Sequence, residues 1–274
     1  MAKRRVAFPG ERGAYSEDAV VAIWPDAEPV PTRTPLDVAS AVSAGDADAG
    51  VFPVENTLAG SVVASYDALA TNDGLHAVAE TVVRIRHCLL AGKGAALETI
   101  ELVESHPVAL AQCTIFLAHH PRMEIRAATD TARAAREAAE SNDPRRAAIA
   151  GRAAAARYGL RILADGIEDR PDNQTRFLAV TREPTVLATG TRARTSLMFT
   201  TPNDPGALVR ALVPLAEHAL NLSKLESRPT GEPWTYRFFA DVEHDAGDAA
   251  RDAALEEMCR VTRTLRVLGT YARA

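Results

Sequence analysis

"HAVAETVVRIRHCLLAG", from His76 to Gly92, decides how the first part of this chain folds. It reads as one long extended segment, set in a region where short apolar runs otherwise alternate with Ala-rich helical stretches. That alternation, from Val6 to about Val180, is the βαβ rhythm of a parallel or mixed sheet with helices on its faces. It predicts strands near 4–8, 49–53, 101–104, 124–127, 147–150, 161–164 and 176–181. Helices are expected near 15–24, 35–44, 60–70, 107–119, 130–141 and 151–158. An extended run in mid-domain can cross from one lobe to another, with the strand at 176–181 as the return. The expectation is two α/β lobes, about 1–78 plus 165–182 and 79–164, with a ligand cleft between them.

Composition changes in "TREPTVLATGTRAR" (Thr181 to Arg194), where Pro, Gly and several Thr mark a linker at 183–192. Beyond it the pattern is strand "TSLMFTT", helix "GALVRALVPLAEH", strand "LNLSKLESRP", strand "WTYRFFADVEH", helix "DAALEEMCRVTRTL" and closing strand "RVLGTYA". This βαββαβ order, within 193–274, is the split βαβ unit of ferredoxin-like α+β domains. Asn203 or Asp204 is expected to cap its first helix, with Pro205 in the first turn.

The 274 residues are 47% hydrophobic and 24% charged, the composition of a globular protein with a sizeable core. A net charge of −5, with no basic cluster longer than "KRR" at Lys3 to Arg5, argues against nucleic acid as the main partner. No window has the length and apolarity of a membrane span or signal sequence. Cys88, Cys113 and Cys259 are far apart and lack metal-ligand spacing, so they read as reduced, buried thiols of a cytoplasmic protein.

Four stretches place polar groups at strand ends or helix starts, where open α/β sheets bind ligands. In "GERGAYSE", Gly10 and Gly13 open a helix whose free N–H groups suit a carboxylate or phosphate, or they simply form a strand-to-helix turn. In "FPVENTLAGSV", Glu55, Asn56 and Thr57 crowd a strand's C-terminal edge, either at a site or as caps of a helix near Gly60. In "SHPVALAQC", Pro107 starts a helix; Ser105 and Gln112, seven residues apart, can face one side roughly 10 Å apart at ~1.5 Å per residue. His106 reads as a local cap, and the pair His119 and His120 as a solvated helix end. In "RPDNQTRFLAV", strand alternation puts Thr175 and Phe177 on one face and Arg176 on the other. Thr175 is then either a turn-forming hydroxyl or a donor. None of these is a nucleophile triad, a metal cluster or a dinucleotide fingerprint.

In sequence, "GERGAYSE", "PVENTLAGSV", "SHPVALAQC" and "DNQTRFLAV", followed by "PGALVRAL" and "LSKLESRP", resemble the prephenate dehydratase family with its C-terminal ACT regulatory domain. The resemblance runs from Val6 to about Leu268. It implies a bilobal fold like that of periplasmic binding proteins, and loss of water and carbon dioxide from prephenate to give phenylpyruvate without metal or cofactor. The family's essential threonine matches Thr175, its neighbours Arg176 and Phe177, and its cleft residues Glu55, Asn56, Ser105 and Gln112. On the ACT side the matching positions are Gly206, Ala207 and Leu208 together with Glu226, Ser227, Arg228 and Pro229, which by this resemblance are expected to enclose L-phenylalanine as allosteric inhibitor between subunits of a homodimer or homotetramer. With no chorismate mutase segment ahead of it, the chain looks like the monofunctional form. Val108 stands where the family usually has Gln, and "GERGAYSE" replaces the commoner "GPxGTFSE", a variant also found in relatives acting on arogenate. Arogenate dehydratase is therefore the rival within the enzyme class, and a non-catalytic amino-acid sensor the rival outside it.

Overall fold

Helices in this chain begin and end where local chemistry tells them to. Thr34 accepts the Asp37 N–H and the Asp37 carboxylate accepts the Thr34 N–H, each at 3.1 Å, with Pro35 in the first position and left-handed Gly45 at the end. The expected helix at 35–44 is the result.

The structure, a computed structural model, describes residues 3–274. In order the chain forms β1 (Arg5–Pro9), α1 (Tyr15–Ile23), β2 (Glu28–Thr32), α2 (Pro35–Ala44), β3 (Ala49–Asn56), β4 (Gly60–Ser61), α3 (Val63–Ala70) and β5 (His76–Arg84). Then come β6 (Cys88–Ala91), β7 (Leu102–Ser105), α4 (Pro107–Ala111), α5 (Thr114–Ala118), β8 (Glu124–Ala127), α6 (Thr131–Ser141), β9 (Arg146–Ala150), α7 (Arg152–Tyr158), β10 (Arg161–Asp165) and β11 (Gln174–Thr181). The last six elements are β12 (Arg192–Thr200), α8 (Ala207–Glu217), β13 (Asn221–Pro229), β14 (Tyr236–Asp245), α9 (Ala249–Val261) and β15 (Thr264–Ala272).

By compactness the chain divides into one unit reaching to Ala68 and including Thr81–Leu178, and a second made of Leu69–Glu80 and Ala179–Ala274. The first unit is built on two sheets. One has the order β2-β1-β3-β11-β5, with β4 added beside β3; the other has the order β10-β6-β9-β7-β8. The second sheet is mixed: β7 pairs parallel with β8 and β9, while β6 pairs antiparallel with β9 and β10. Strand β9 is buried on both faces. Its Ala147 and Ile149 join Leu89, Val103 and Cys113 on one side, and Ala148 and Ala150 join the alanines of α6 and α7 on the other. Helix α6 buries Ala132, Ala134, Ala135 and Ala138 and keeps its outer face soluble with the i,i+4 pairs Arg133–Glu137 and Arg136–Glu140.

In the second unit, β13-β14-β12-β15 form an antiparallel sheet, with α8 and α9 packed on Leu197, Phe199, Ala240 and Val242. Spatial order second-third-first-fourth is the ferredoxin-like arrangement expected for βαββαβ. Leu69–Glu80 belongs here by close fit: a Cβ on Gly269 would lie 2.1 Å from the Ala77 carbonyl oxygen, and Arg266 bonds the Leu69 and Asn72 carbonyls.

Several expectations need correction. The run His76–Gly92 is two strands of different sheets, β5 and β6, parted at Ile85–His87. Gly60 and Ser61 pair with Asn56 and Glu55, so the helix expected from 60 starts at Val63. Strand β2, "EPVPT", was missed because two prolines disguise it; it is an edge strand, where lost donors cost least. Gly206, in the left-handed region at φ 78°, caps α8 in place of Asn203 or Asp204, and Asp204 instead pairs with Arg210 at 2.6 Å. Cys259 is exposed, while Cys88 and Cys113 are buried.

Candidate active site

Strands β3 and β11 are neighbours, so the end of one meets the start of the other. Thr57 N–H donates to the Gln174 carbonyl at 2.9 Å, and Gln174 N–H to the Thr57 hydroxyl at 3.0 Å. This clamp brings Asn56 against Asn173 and Thr175. The Asn56 Nδ2 atom is 2.8 Å from Asn173 Oδ1, 2.9 Å from Thr175 Oγ1 and 3.0 Å from the Gln174 carbonyl. Its Oδ1 accepts the N–H groups of Leu58 and Ala59 at 3.0 and 2.8 Å, so Asn56 caps a turn of its own rather than a helix. Alternation along β11 buries Thr175 and Phe177 and turns Arg176 the other way, where its guanidinium lies 3.3 Å from the Glu55 carboxylate. Phe177 is a core residue with 2% exposure.

The second sheet contributes Gln112 and His87. The helix expected over 107–119 is broken into α4 and α5, and Gln112 is the C-cap of α4 rather than an interior position. The cause lies elsewhere in the chain. The Asp169 carboxylate caps α5 by accepting from Thr114 N at 3.0 Å, Ile115 N at 2.9 Å and Thr114 Oγ1 at 2.6 Å, while Asp169 N–H donates to the Gln112 carbonyl. Freed from the helix face, the Gln112 side chain reaches Asn173 Nδ2 (2.8 Å) and His87 Nε2 (3.0 Å) through Oε1, and Asn56 Oδ1 (3.3 Å) through Nε2.

Ser105 does not join this cluster. It is fully buried, and its hydroxyl donates to the Ile149 carbonyl at 2.6 Å, tying β7 to β9. The expected pairing of Ser105 and Gln112 on one helix face fails with the helix. His106 does cap α4, its Nδ1 accepting from Val108 N–H at 3.2 Å. The glycines of "GERGAYSE" answer to packing: with φ of 106° and 89°, Gly10 and Gly13 are approached so closely by Asp130 and Ala154 that a Cβ would lie 2.6 and 2.9 Å from them. The Gly13 N–H is taken by Glu17.

Three cluster members escaped the sequence reading. Asn173, fully buried, sits two residues before Thr175 in the turn "PDNQ". His87 lies in the break between β5 and β6. Tyr15, the first residue of α1, places its hydroxyl 2.7 Å from the Arg86 carbonyl and 3.1 Å from His87 Nδ1. Burial holds the His87 pKa below the usual histidine range against the opposing Gln112 hydrogen bond, and raises the Tyr15 phenol well above its ordinary value. Burial also pushes the Cys88 thiol up to about 12, helped by Asp165, and the Cys113 thiol higher still, so neither supplies a thiolate.

In the second unit, Gly206, Ala207 and Leu208 form the start of α8, with Ala207 buried and Leu208 against the core. Glu226, Ser227, Arg228 and Pro229 end β13, which occupies one end of its sheet's strand order. Glu226 lies 3.4 Å from Lys224.

The family model for prephenate dehydratase matches residues 6–185, and that for the ACT domain residues 195–260. The chain is 39% identical to the chloroplastic arogenate dehydratase/prephenate dehydratase 2 of Arabidopsis thaliana, over 97% of this chain and 72% of that one. A crystal structure of prephenate dehydratase from Arthrobacter aurescens in complex with L-Phe superposes with a TM-score of 0.91 at 35% identity, covering 98% of this chain and 90% of that chain. A structure described as a quorum-quenching acylase matches with a TM-score of 0.89 at 34% identity, covering 99% of this chain and 98% of that chain.

Proposed function

Because the chain belongs to the prephenate dehydratase family of lyases and carries a C-terminal ACT domain, we propose that it converts prephenate to phenylpyruvate and is inhibited by L-phenylalanine. Residues 1–182 are the catalytic domain, 183–192 the linker and 193–274 the regulatory domain, working in the cytoplasm as a homodimer or homotetramer. The reaction breaks the bond from the ring to its carboxylate, releasing carbon dioxide; that electron pair enters the ring and expels the hydroxyl across it. With one proton the hydroxyl leaves as water and the ring becomes aromatic. No metal, cofactor or covalent intermediate is required, so the enzyme's task is to hold the substrate and stabilise the departing oxygen.

The observation that carries this reading is Thr175. Among the described residues, its hydroxyl has Asn56 Nδ2 as sole hydrogen-bond partner, and that partner is a donor. The Thr175 proton is therefore available to a leaving oxygen. Asn56 and Gln112 orient it, Phe177 anchors its strand in the core, and Arg176 with Glu55 forms the charged margin of the site. Ser105 supports the frame from β7. An amide partner does not suit Thr175 as an acyl-transfer nucleophile, since it takes up no proton. Turnover of purified protein with prephenate and with arogenate is the deciding assay. Prephenate is expected to give the larger kcat/KM; preference for arogenate moves the enzyme to its sister activity, and binding without turnover makes it a sensor.

For regulation, the supporting features are the "PGAL" turn before α8 and the "ESRP" end of β13. Glu226 Oε2 is buried without a hydrogen bond among the described residues and lies 3.4 Å from Lys224 Nζ; its carboxylate has acceptor capacity left for the ammonium of an amino acid. Glu226→Ala is expected to raise the phenylalanine concentration for half-inhibition at least about tenfold, the loss of one charge-assisted hydrogen bond. Calorimetry detecting no phenylalanine binding to the wild-type chain would remove the regulatory part.

A further inference from the structure

We infer that His87 is a positioning residue for Thr175: as an Nε2–H donor it heads a one-way hydrogen-bond chain, His87 to Gln112 to Asn56 to Thr175, that ends on the hydroxyl facing the leaving group. The inference rests on the reading of Thr175 as leaving-group donor, and it adds a residue outside every sequence motif used to reach that reading.

The direction of the chain is forced, and the backbone forces it. Two backbone N–H groups, from Leu58 and Ala59, point at one end of the Asn56 amide, and the Gln174 carbonyl lies at the other. Donors can meet only an acceptor, so the first end is Oδ1 and the second Nδ2. Nδ2 has two hydrogens and three acceptors nearby. Asn173 Oδ1 at 2.8 Å and Thr175 Oγ1 at 2.9 Å are the two nearest of these acceptors, and the Gln174 carbonyl, which also receives the Thr57 N–H, is the third at 3.0 Å. Asn173 must then present Nδ2 to Gln112, so the Gln112 atom at 2.8 Å is its carbonyl oxygen. That same oxygen is 3.0 Å from His87 Nε2, and two acceptors cannot share a contact. The proton is on Nε2.

On the far side of the imidazole, the Tyr15 hydroxyl donates to the Arg86 carbonyl at 2.7 Å. Nδ1 is 3.1 Å from the Tyr15 hydroxyl, which stays protonated and lies between Nδ1 and the Arg86 carbonyl. One hydroxyl proton cannot serve both acceptors, so this contact does not itself assign the tautomer; burial favours a neutral ring, which with its proton on Nε2 carries none on Nδ1. The ring is held by Tyr15 edge-on at 5.7 Å and by Glu168, whose carboxylate accepts the His87 backbone N–H at 2.9 Å. His87 thus fixes which atom of Gln112 is the acceptor. Gln112 Nε2 is then turned to Asn56 Oδ1, and each bond polarises the next in the same sense. No proton is transferred by His87; it sets an orientation.

Three variants and one spectroscopic measurement test this. In His87→Leu the donor is gone, and kcat for prephenate is expected to fall about tenfold or more, the size of one lost hydrogen bond in the transition state, while KM changes less than about threefold. His87→Gln, whose side-chain amide can again donate to Gln112, is expected to recover most of that loss. A merely structural residue would lower kcat in proportion to melting temperature in both variants, with no rescue. If His87→Leu keeps kcat within about twofold of wild type while Thr175→Ala does not, the His87 role falls and the reading of Thr175 stands; if Thr175→Ala itself turns over normally, both fall. Should His87→Leu not fold, the ¹⁵N shifts of the wild-type imidazole, assigned by their absence in His87→Gln, still decide: an Nδ1–H tautomer overturns the inference and an Nε2–H tautomer supports it.

Discussion

Asn173–Phe177 and Ser105–Gln112 are both short segments that bury polar side chains in the first unit, yet they deliver them by different rules. In the first, three polar positions act at or just before one strand start: Asn173 and Thr175 bond Asn56, and Arg176 turns outward to Glu55. In the second, the two ends part company. Ser105 serves the β7–β9 frame, while Gln112 joins the cluster because Asp169, more than fifty residues away, ends one helix and begins another. A strand's alternation is a local property and survives any tertiary setting; a helix face lasts only while the helix does.

The sharpest way to break this comparison is Thr175→Ala. Loss of a positioned donor is expected to reduce kcat about a hundredfold or more, with a nearly unchanged melting profile, since Asn56 Nδ2 keeps Asn173 Oδ1 and the Gln174 carbonyl as acceptors. A folded variant with wild-type turnover would take Thr175 out of the chemistry. Gln112→Ala comes next. It cuts the chain between His87 and Asn56 and leaves the Asn173 amide unpaired, so kcat is expected to fall about tenfold, with a few degrees of Tm lost as well. Steady-state kinetics beside calorimetry separates the two effects.

These contrasts also mark what was legible. Most of the strands and helices, the βαββαβ unit and the face of Thr175 follow from patterns of two and 3.6 residues. Asn56 was legible too, as a polar residue at a strand's end. What escaped depended on chain segments distant in sequence. Nothing in "SHPVALAQC" announces that Asp169 will interrupt it, and nothing in "RIRHCLL" tells that His87 sits in a break between two sheets. Tyr15 was hidden by the glycines before it, which attract attention as an anion site but are there because Asp130 and Ala154 approach too closely for a side chain.

Ser105→Ala sharpens the comparison from the other side. Removing the hydroxyl takes one donor from the buried Ile149 carbonyl, a cost of about 1 kcal/mol, or about 2–4 °C in Tm for a chain of this length. Turnover per folded molecule is expected to suffer less than in Gln112→Ala. If Ser105→Ala instead lost activity as severely as Thr175→Ala at unchanged Tm, its hydroxyl would have to reach the substrate, and the assignment of Ser105 to the frame would be wrong.

The smallest effect is expected at Asp18 on α1, a partly buried carboxylate without a hydrogen bond among the described residues. Burial, with Glu17 beside it, raises its pKa from 3.8 to about 6. The folded state therefore prefers the protonated form more than the unfolded state does. Between about pH 4 and pH 6 the unfolded chain releases this proton first, so stability declines as pH rises through that window and stays lower above it. Where Asn173 and Thr175 answer burial with hydrogen bonds, Asp18 answers by holding its proton, and at neutral pH it no longer can. Asp18→Asn removes the charge at nearly constant shape and is expected to raise Tm by about one to three degrees at pH 7.5, with the gain vanishing near pH 4, where aspartate in the folded protein is already neutral. An equal gain at both pH values would show that the substitution acts through packing or helix propensity; a loss at pH 7.5 would show that the carboxylate has a partner that makes its charge welcome.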